Sequence, residues 1–134
     1  MTINKDLHNQ VSVGVAIDLT AVANGEDVVG AVIDCQGSEG LELIFQVGAY
    51  TDGSVTPLIE DSDDNVTYTA VADANLTNTE ASAALSAAGV SNIGYVGFKR
   101  YVRATAVTAA GSTLSVGASF VKFSLRLQGT VNPS

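Results

Sequence analysis

The side chains best placed to do chemistry are the oxygen donors of one short acidic segment. Glu60, Asp61, Asp63, Asp64 and Asn65 crowd into six residues. Asp61, Asp63 and Asn65 take the first, third and fifth places of a calcium-loop spacing, which turns carboxylate and amide oxygens toward a hard cation. The pattern stops there. The sixth place, where such a loop turns on glycine, holds Val66, and the twelfth, which calls for a bidentate Glu, holds Ala72. Asp61, Asp63 and Asn65 are therefore weak metal-ligand candidates, and a solvated acidic turn is the competing reading.

Nucleophilic catalysis finds little to work with. His8 is the one histidine and Cys35 the one cysteine. A Ser-His-Asp or Cys-His arrangement would have to use His8, which sits in a polar N-terminal arm with no nucleophile beside it. One Cys and one His do not fill a four-ligand zinc site. Cys35, in a valine-rich stretch, reads as a small buried hydrophobe, and a lone cysteine excludes an intrachain disulfide. Gly89, Gly94 and Gly97 lack the strand–loop–helix context and the trailing Lys of a phosphate loop. With no Trp and eight other aromatics, a sugar-stacking platform is poorly supplied. The expectation is a protein that is not an enzyme and that carries no cofactor.

A second segment mixes bases with aromatics: Gly94-Tyr95-Val96-Gly97-Phe98-Lys99-Arg100-Tyr101-Val102-Arg103. Such mixtures bind single-stranded nucleic acid elsewhere. Here Arg100 and Arg103 differ by an odd number, so a regular strand puts them on opposite faces. The acidic remainder repels phosphate over a screening length of about 8–10 Å. The better use of these arginines is to pair with the chain's own acids or with those of a neighbour, since the planar guanidinium fork matches a carboxylate. No nucleic-acid partner is expected.

Charge is strongly segregated. All 14 acidic residues lie between Asp6 and Glu80, and five of the six basic residues lie between Lys99 and Arg126, for a net −8. Segregation of this kind concerns association rather than fold. It suits an assembling protein, or it is cancelled locally if the basic strands sit beside the acidic ones.

The elements that must position these groups read as strands. Val11, Val13, Val15, Ile17 and Leu19 alternate as one apolar face, and Asn24-Gly25 supplies a hairpin turn. Residues 28–33 form a short apolar strand. Leu41, Leu43, Phe45, Val47 and Ala49 alternate before the turn Thr51-Asp52-Gly53-Ser54. The strand 55–60 contains Pro57, which places it at an edge or a bend. Val66, Tyr68 and Ala70 alternate next. Thr77 with Glu80 fits a capping box, which allows one short helix near 78–89 closed by Gly89. The last third reads as a long hairpin, residues 93–108 and 113–127 about the turn 109–112, with Val121, Phe123, Leu125 and Leu127 on its core face. At 134 residues this is one all-β domain, residues 1–134: an antiparallel β-sandwich or jelly-roll-like fold of about seven strands. A polar N-terminal arm (about 1–10) and a short C-terminal tail (about 129–134) flank it. No signal peptide and no 18-residue apolar run is visible, so synthesis in a cytoplasm and no membrane partner are expected.

Two stretches resemble a known family: the strand Leu41 to Ala49 followed by Leu58-Ile59-Glu60-Asp61-Ser62-Asp63-Asp64 and Tyr68, and the run Lys99-Arg100-Tyr101-Val102-Arg103. Together, over roughly residues 40–127, they resemble the head decoration, or cement, proteins of tailed bacteriophages. The resemblance implies a β-sandwich subunit on the outside of an icosahedral shell, bound to the major capsid protein, homo-oligomeric and commonly trimeric, with neither cofactor nor catalytic residues. A −8 protein suits the exterior of a DNA-filled head. Interface candidates are Ile3 and Leu7 in the arm and Lys99, Arg100, Tyr101 and Arg103 in the basic segment. The alternatives are another virion part (a tail-tube, tail-terminator or connector subunit) and a Ca²⁺- or glycan-binding β-sandwich module.

Overall fold

A computed structural model describes residues 11–38, 40–77 and 84–123. Among these, nine strands form two antiparallel sheets. The strands are β1 (Val11–Val22), β2 (Val28–Val29), β3 (Ile33–Asp34), β4 (Gly40–Asp52), β5 (Val55–Ser62), β6 (Thr69–Ala70), β7 (Gly89–Tyr95), β8 (Tyr101–Thr108) and β9 (Thr113–Phe123). One sheet runs β1-β9-β4-β7; the other runs β2-β8-β5-β6, with β3 also on β8. The core lies between them and is built by Leu43, Phe45 and Ile93 from one layer and Val55, Val102 and Ala104 from the other. The fold is the expected all-β sandwich. No helix among the described residues is long and apolar enough to cross a membrane.

The strong turn signals do something other than make hairpins. Asn24-Gly25 connects β1 to β2, Gly53 connects β4 to β5, and Gly111 connects β8 to β9. Each connection passes from one sheet to the other. Asn24, Gly25, Gly53 and Gly111 all have positive φ, 65°, 74°, 96° and 80°, which suits the tight reversals. The three arches meet at Ser112, which is fully buried. Gly25 N–H donates to its carbonyl (3.2 Å), Ser54 N–H donates to its hydroxyl oxygen (3.1 Å), and that hydroxyl donates to Ala109 C=O (2.6 Å).

Several expectations are corrected. The expected 93–108/113–127 hairpin is absent, because β9 pairs with β1 and β4 while β8 pairs with β2, β3 and β5. The chain leaves the first sheet after Tyr95 and enters the second at Tyr101. Residues 28–33 are two short strands split at Gly30. Of 66–71, only Thr69–Ala70 is strand. Within 78–89, residues 78–83 lie outside the described residues, Leu85 bridges Val55, and Gly89 opens β7 instead of closing a helix.

The largest correction concerns which way β1 and β9 face. β1 carries register shifts between Val15 and Ile17 and between Ile17 and Thr20. A bulge inserts a residue and swaps the faces beyond it. Ile17 is buried, whereas Val13, Val15 and Leu19 are 69%, 56% and 77% exposed. On β9 the inward row is Leu114, Val116, Ala118 and Phe120, so Val121 and Phe123 belong to the outward row. Leu125 and Leu127 lie outside the described residues, as do the N-terminal arm and the C-terminal tail.

Candidate functional site

At the end of the sandwich opposite the arches, the crossing loop 96–100 stands against the turn that follows β3. A cleft of about 400 Å³ opens between them, lined among others by Cys35, Gln36, Tyr95, Phe98, Lys99 and Arg100. The loop is held from three sides. Arg100 clamps Asp34 bidentately, Nε to Oδ1 at 3.0 Å and Nη2 to Oδ2 at 2.9 Å. Cys35 N–H donates to Arg100 C=O at 2.7 Å. The buried Tyr95 hydroxyl donates to Asp61 Oδ2 at 2.8 Å and accepts Lys99 N–H at 3.1 Å. Burial, with the carboxylate of Asp61 beside it, holds the Tyr95 phenol above its usual range. It therefore stays a neutral donor at every physiological pH.

Ahead of the two bases, the first half of this loop presents apolar side chains. Phe98 is 98% exposed and Val96 about half exposed. Single exposed apolar residues are ordinary. A benzyl side chain at the tip of a loop fixed by a bidentate ion pair and a buried phenol is a preformed anchor. The basic segment drew attention in the sequence for its arginines; the adjacent signal was Gly97-Phe98, an aromatic after a glycine at a strand exit.

The other candidates fall into place around this end. Arg103 reaches Glu60 (Nε–Oε1 3.1 Å) and lies 4.2 Å over the Tyr68 ring, while the Arg100 guanidinium sits 4.9 Å from the Tyr101 ring centre. Lys99 approaches Asp63 at 3.8 Å with both side chains well exposed, a contact worth little in water. Lys122 Nζ donates to Asp34 C=O at 3.0 Å. These contacts set the basic third of the chain beside the acidic part within one fold. Ile3 and Leu7 lie outside the described residues.

The calcium-like trio does not converge. Asp61 is buried against Tyr95, Asp63 points to Lys99, and Asn65, at φ 60°, accepts the Tyr68 hydroxyl. Among the described residues no three His, Cys, Asp or Glu side chains are grouped to hold a metal. Asp64, between them, acts on its own backbone. Its Oδ1 accepts Val66 N–H (2.9 Å), Thr67 N–H (3.0 Å) and the Ser62 hydroxyl (2.8 Å), closing the acidic turn.

Two titrations follow. The Thr67 and Val66 amides and the Ser62 hydroxyl lower the Asp64 carboxyl from 3.8 to about 2, and the Arg100 side chain, helped by the Gln36 amide, lowers Asp34 equally. A carboxyl whose folded pKa lies below its unfolded one stabilises the fold above the unfolded pKa and loses that contribution as pH falls through the folded value. The urea midpoint is thus expected to hold level from pH 7 to 5 and to fall between about pH 4 and 2. In Asp34→Asn and Asp64→Asn variants it should fall less over that interval. In the cleft, desolvation pushes the Cys35 thiol from 9.0 to about 11. Its thiolate population is then about a hundredfold below that of an ordinary cysteine. Iodoacetamide at pH 7.5 is expected to alkylate it about that much more slowly than free cysteine; an equal rate would contradict the burial.

No protein-family model and no curated protein sequence matches this chain. Solved structures do. The PBSX exported protein XepA superposes with a TM-score of 0.61 at 17% identity, over 92% of this chain and 40% of that one. The SPBc2 prophage-derived protein YomS superposes with a TM-score of 0.53 at 14% identity, over 85% of this chain and 93% of that one. This chain therefore spans less than half of XepA and most of YomS, and at these identities what it shares with both is the β-sandwich fold.

Proposed function

We propose that this chain is a structural protein of a bacteriophage particle, and that it decorates the outside of the head by binding the major capsid protein. The observation that carries the reading is Phe98, held almost wholly exposed at the tip of a loop fixed by the Arg100–Asp34 clamp and the Tyr95–Asp61 bond. A rigid aromatic anchor loses little conformational entropy on docking, so most of its burial energy goes into affinity. The resemblance of residues 40–127 to decoration proteins supports the reading, as does the fold's occurrence in a prophage-derived protein. A net charge of −8 favours the outer surface, away from packaged DNA. On this reading the protein is a binding subunit rather than an enzyme, made in the host cytoplasm and carried on the virion.

The test is direct. Mass spectrometry of purified particles should find the protein in stoichiometric amount, and gold-labelled antibody should mark heads. Label confined to tails would move the chain to a tail-tube, terminator or connector role. Absence from particles would end the structural reading.

A further inference from the structure

The pair Asn24-Gly25, which arches the chain from β1 into β2, carries a chemistry of its own. It is the one place in the sequence where asparagine precedes glycine. In such a pair the glycine nitrogen is a nucleophile beside its neighbour's side-chain amide, and no Cβ hinders the approach. The nitrogen gives its proton to hydroxide and attacks Asn24 Cγ. The Cγ–Nδ2 bond breaks, ammonia leaves with a proton from water, and a five-membered succinimide closes. Water then opens either carbonyl of the ring, giving aspartate or β-linked isoaspartate. Water is the only reagent consumed. Asn24 is exposed, so both hydroxide and water reach it.

The arch holds this reaction back. Gly25 N–H donates to Ser112 C=O at 3.2 Å, so the attacking nitrogen keeps its proton and is turned into the arch. Gly25 is also wedged in place: a Cβ there would lie 2.3 Å from the Ala109 carbonyl oxygen, 2.8 Å from Ala110 Cα and 2.9 Å from Gly111 N. The residues that follow are tied to β8, since Asp27 Oδ1 accepts Thr108 N–H at 3.0 Å and Glu26 C=O accepts the Thr108 hydroxyl at 2.7 Å. Bringing the Gly25 nitrogen onto Cγ breaks the bond to Ser112 and swings the peptide away from residues 109–111. At 3.2 Å that bond lies at the long, weak end of the N–H···O range.

We infer that Asn24 is a self-modification site, deamidated in the folded chain at a rate set by opening of the β1–β2 arch. The step is one-way. Isoaspartate inserts a methylene into the main chain ahead of Gly25 and displaces its N–H from Ser112. Either product adds a carboxylate beside Glu26 and Asp27, in a chain already at −8. This chemistry needs no partner and is independent of the particle role proposed above.

The experiment follows the mass of the peptic fragment that spans Asn24 while the full-length chain is kept in mildly alkaline buffer, native or in guanidinium chloride. The mass gain of amide-to-acid conversion should appear at Asn24 in both, at least about tenfold more slowly in the native chain, as local opening demands. Ser112→Ala keeps the carbonyl that holds Gly25 but deletes the hydroxyl that donates to Ala109 and accepts from Ser54. It should deamidate severalfold faster than wild type when native and equally fast in guanidinium chloride. Should that variant lose its fold, Thr108→Val, which drops the bond to Glu26 C=O, reads the same opening. Equal rates in the native and unfolded chains would overturn the inference. So would a native chain that gains no mass while the unfolded chain is converted, or folded variants that deamidate at the wild-type rate.

Discussion

Phe98→Ser is expected to weaken binding to heads lacking this protein by about 30- to 1,000-fold, the 2–4 kcal/mol typical of truncating a central aromatic anchor. The same change should leave the melting temperature within about 2 °C, because the ring touches solvent on nearly all sides and contributes little to the isolated fold. Those two readouts together make the prediction sharp. A core aromatic such as Phe45, fully buried, would show the opposite pattern, with lost stability and lost binding in proportion. Occupancy measured by quantitative electrophoresis of sedimented heads checks it. Unchanged occupancy at sub-saturating protein would remove Phe98 from the contact and with it the main support for the cleft end as the docking surface. Raising salt tests the complementary point. Lys99 and Arg100 flank the anchor, but Arg100 is already neutralised by Asp34. The salt dependence of binding should accordingly be shallow, since a contact centred on an apolar ring is little screened.

What the sequence showed and what it hid follow from the range of each signal. Period-two alternation identified the strand and its buried face correctly over 41–47, because β4 is paired on both sides through the core region and keeps one register over residues 40–47; Ala49, read onto the same face, is exposed beyond the shift that follows Val47. The same pattern in 11–19 identified the strand but not the break in its face: Val13, Val15 and Leu19 are exposed, while Ile17, at the register shift, is buried. A bulge costs one residue and leaves no trace in composition, yet it reverses every side chain beyond it. The turn residues were legible as turns, since positive φ at Asn24-Gly25 and Gly53 is a local demand. Whether a turn joins neighbours in one sheet or arches to the other is decided by non-local packing, and so the C-terminal hairpin was misread. Local cancellation of the segregated charge was one of two open readings, and the contacts of Arg100 with Asp34 and of Arg103 with Glu60 realise it. Phe98 was inside the segment that drew attention. Its importance comes from exposure, which one aromatic letter does not encode.

The convergence of three arches on one serine gives the largest expected loss of stability from a single methyl group. Gly53→Ala is expected to cost about 3 kcal/mol or more and to lower the melting temperature by about 10 °C, for two separable reasons. The first is conformational: at φ +96° an L side chain is strained by about 1–2 kcal/mol. The second is steric: a Cβ at Gly53 would lie 2.1 Å from the Ser112 hydroxyl oxygen and 2.5 Å from the Ser112 Cα. That backbone atom cannot step aside by a rotamer change. Moving Ser112 would loosen its bonds to Gly25, Ser54 and Ala109, and thus all three crossings between the sheets. Gly37 separates the two reasons. It has a similar φ, +83°, but nothing lies within 4 Å of where its Cβ would stand. Gly37→Ala should therefore cost only the conformational part, about 1 kcal/mol. Urea denaturation of the two variants side by side measures the difference as the steric part. Equal destabilisation of the two would mean that the arches yield freely, and that Ser112 is not the point at which the two sheets are locked together.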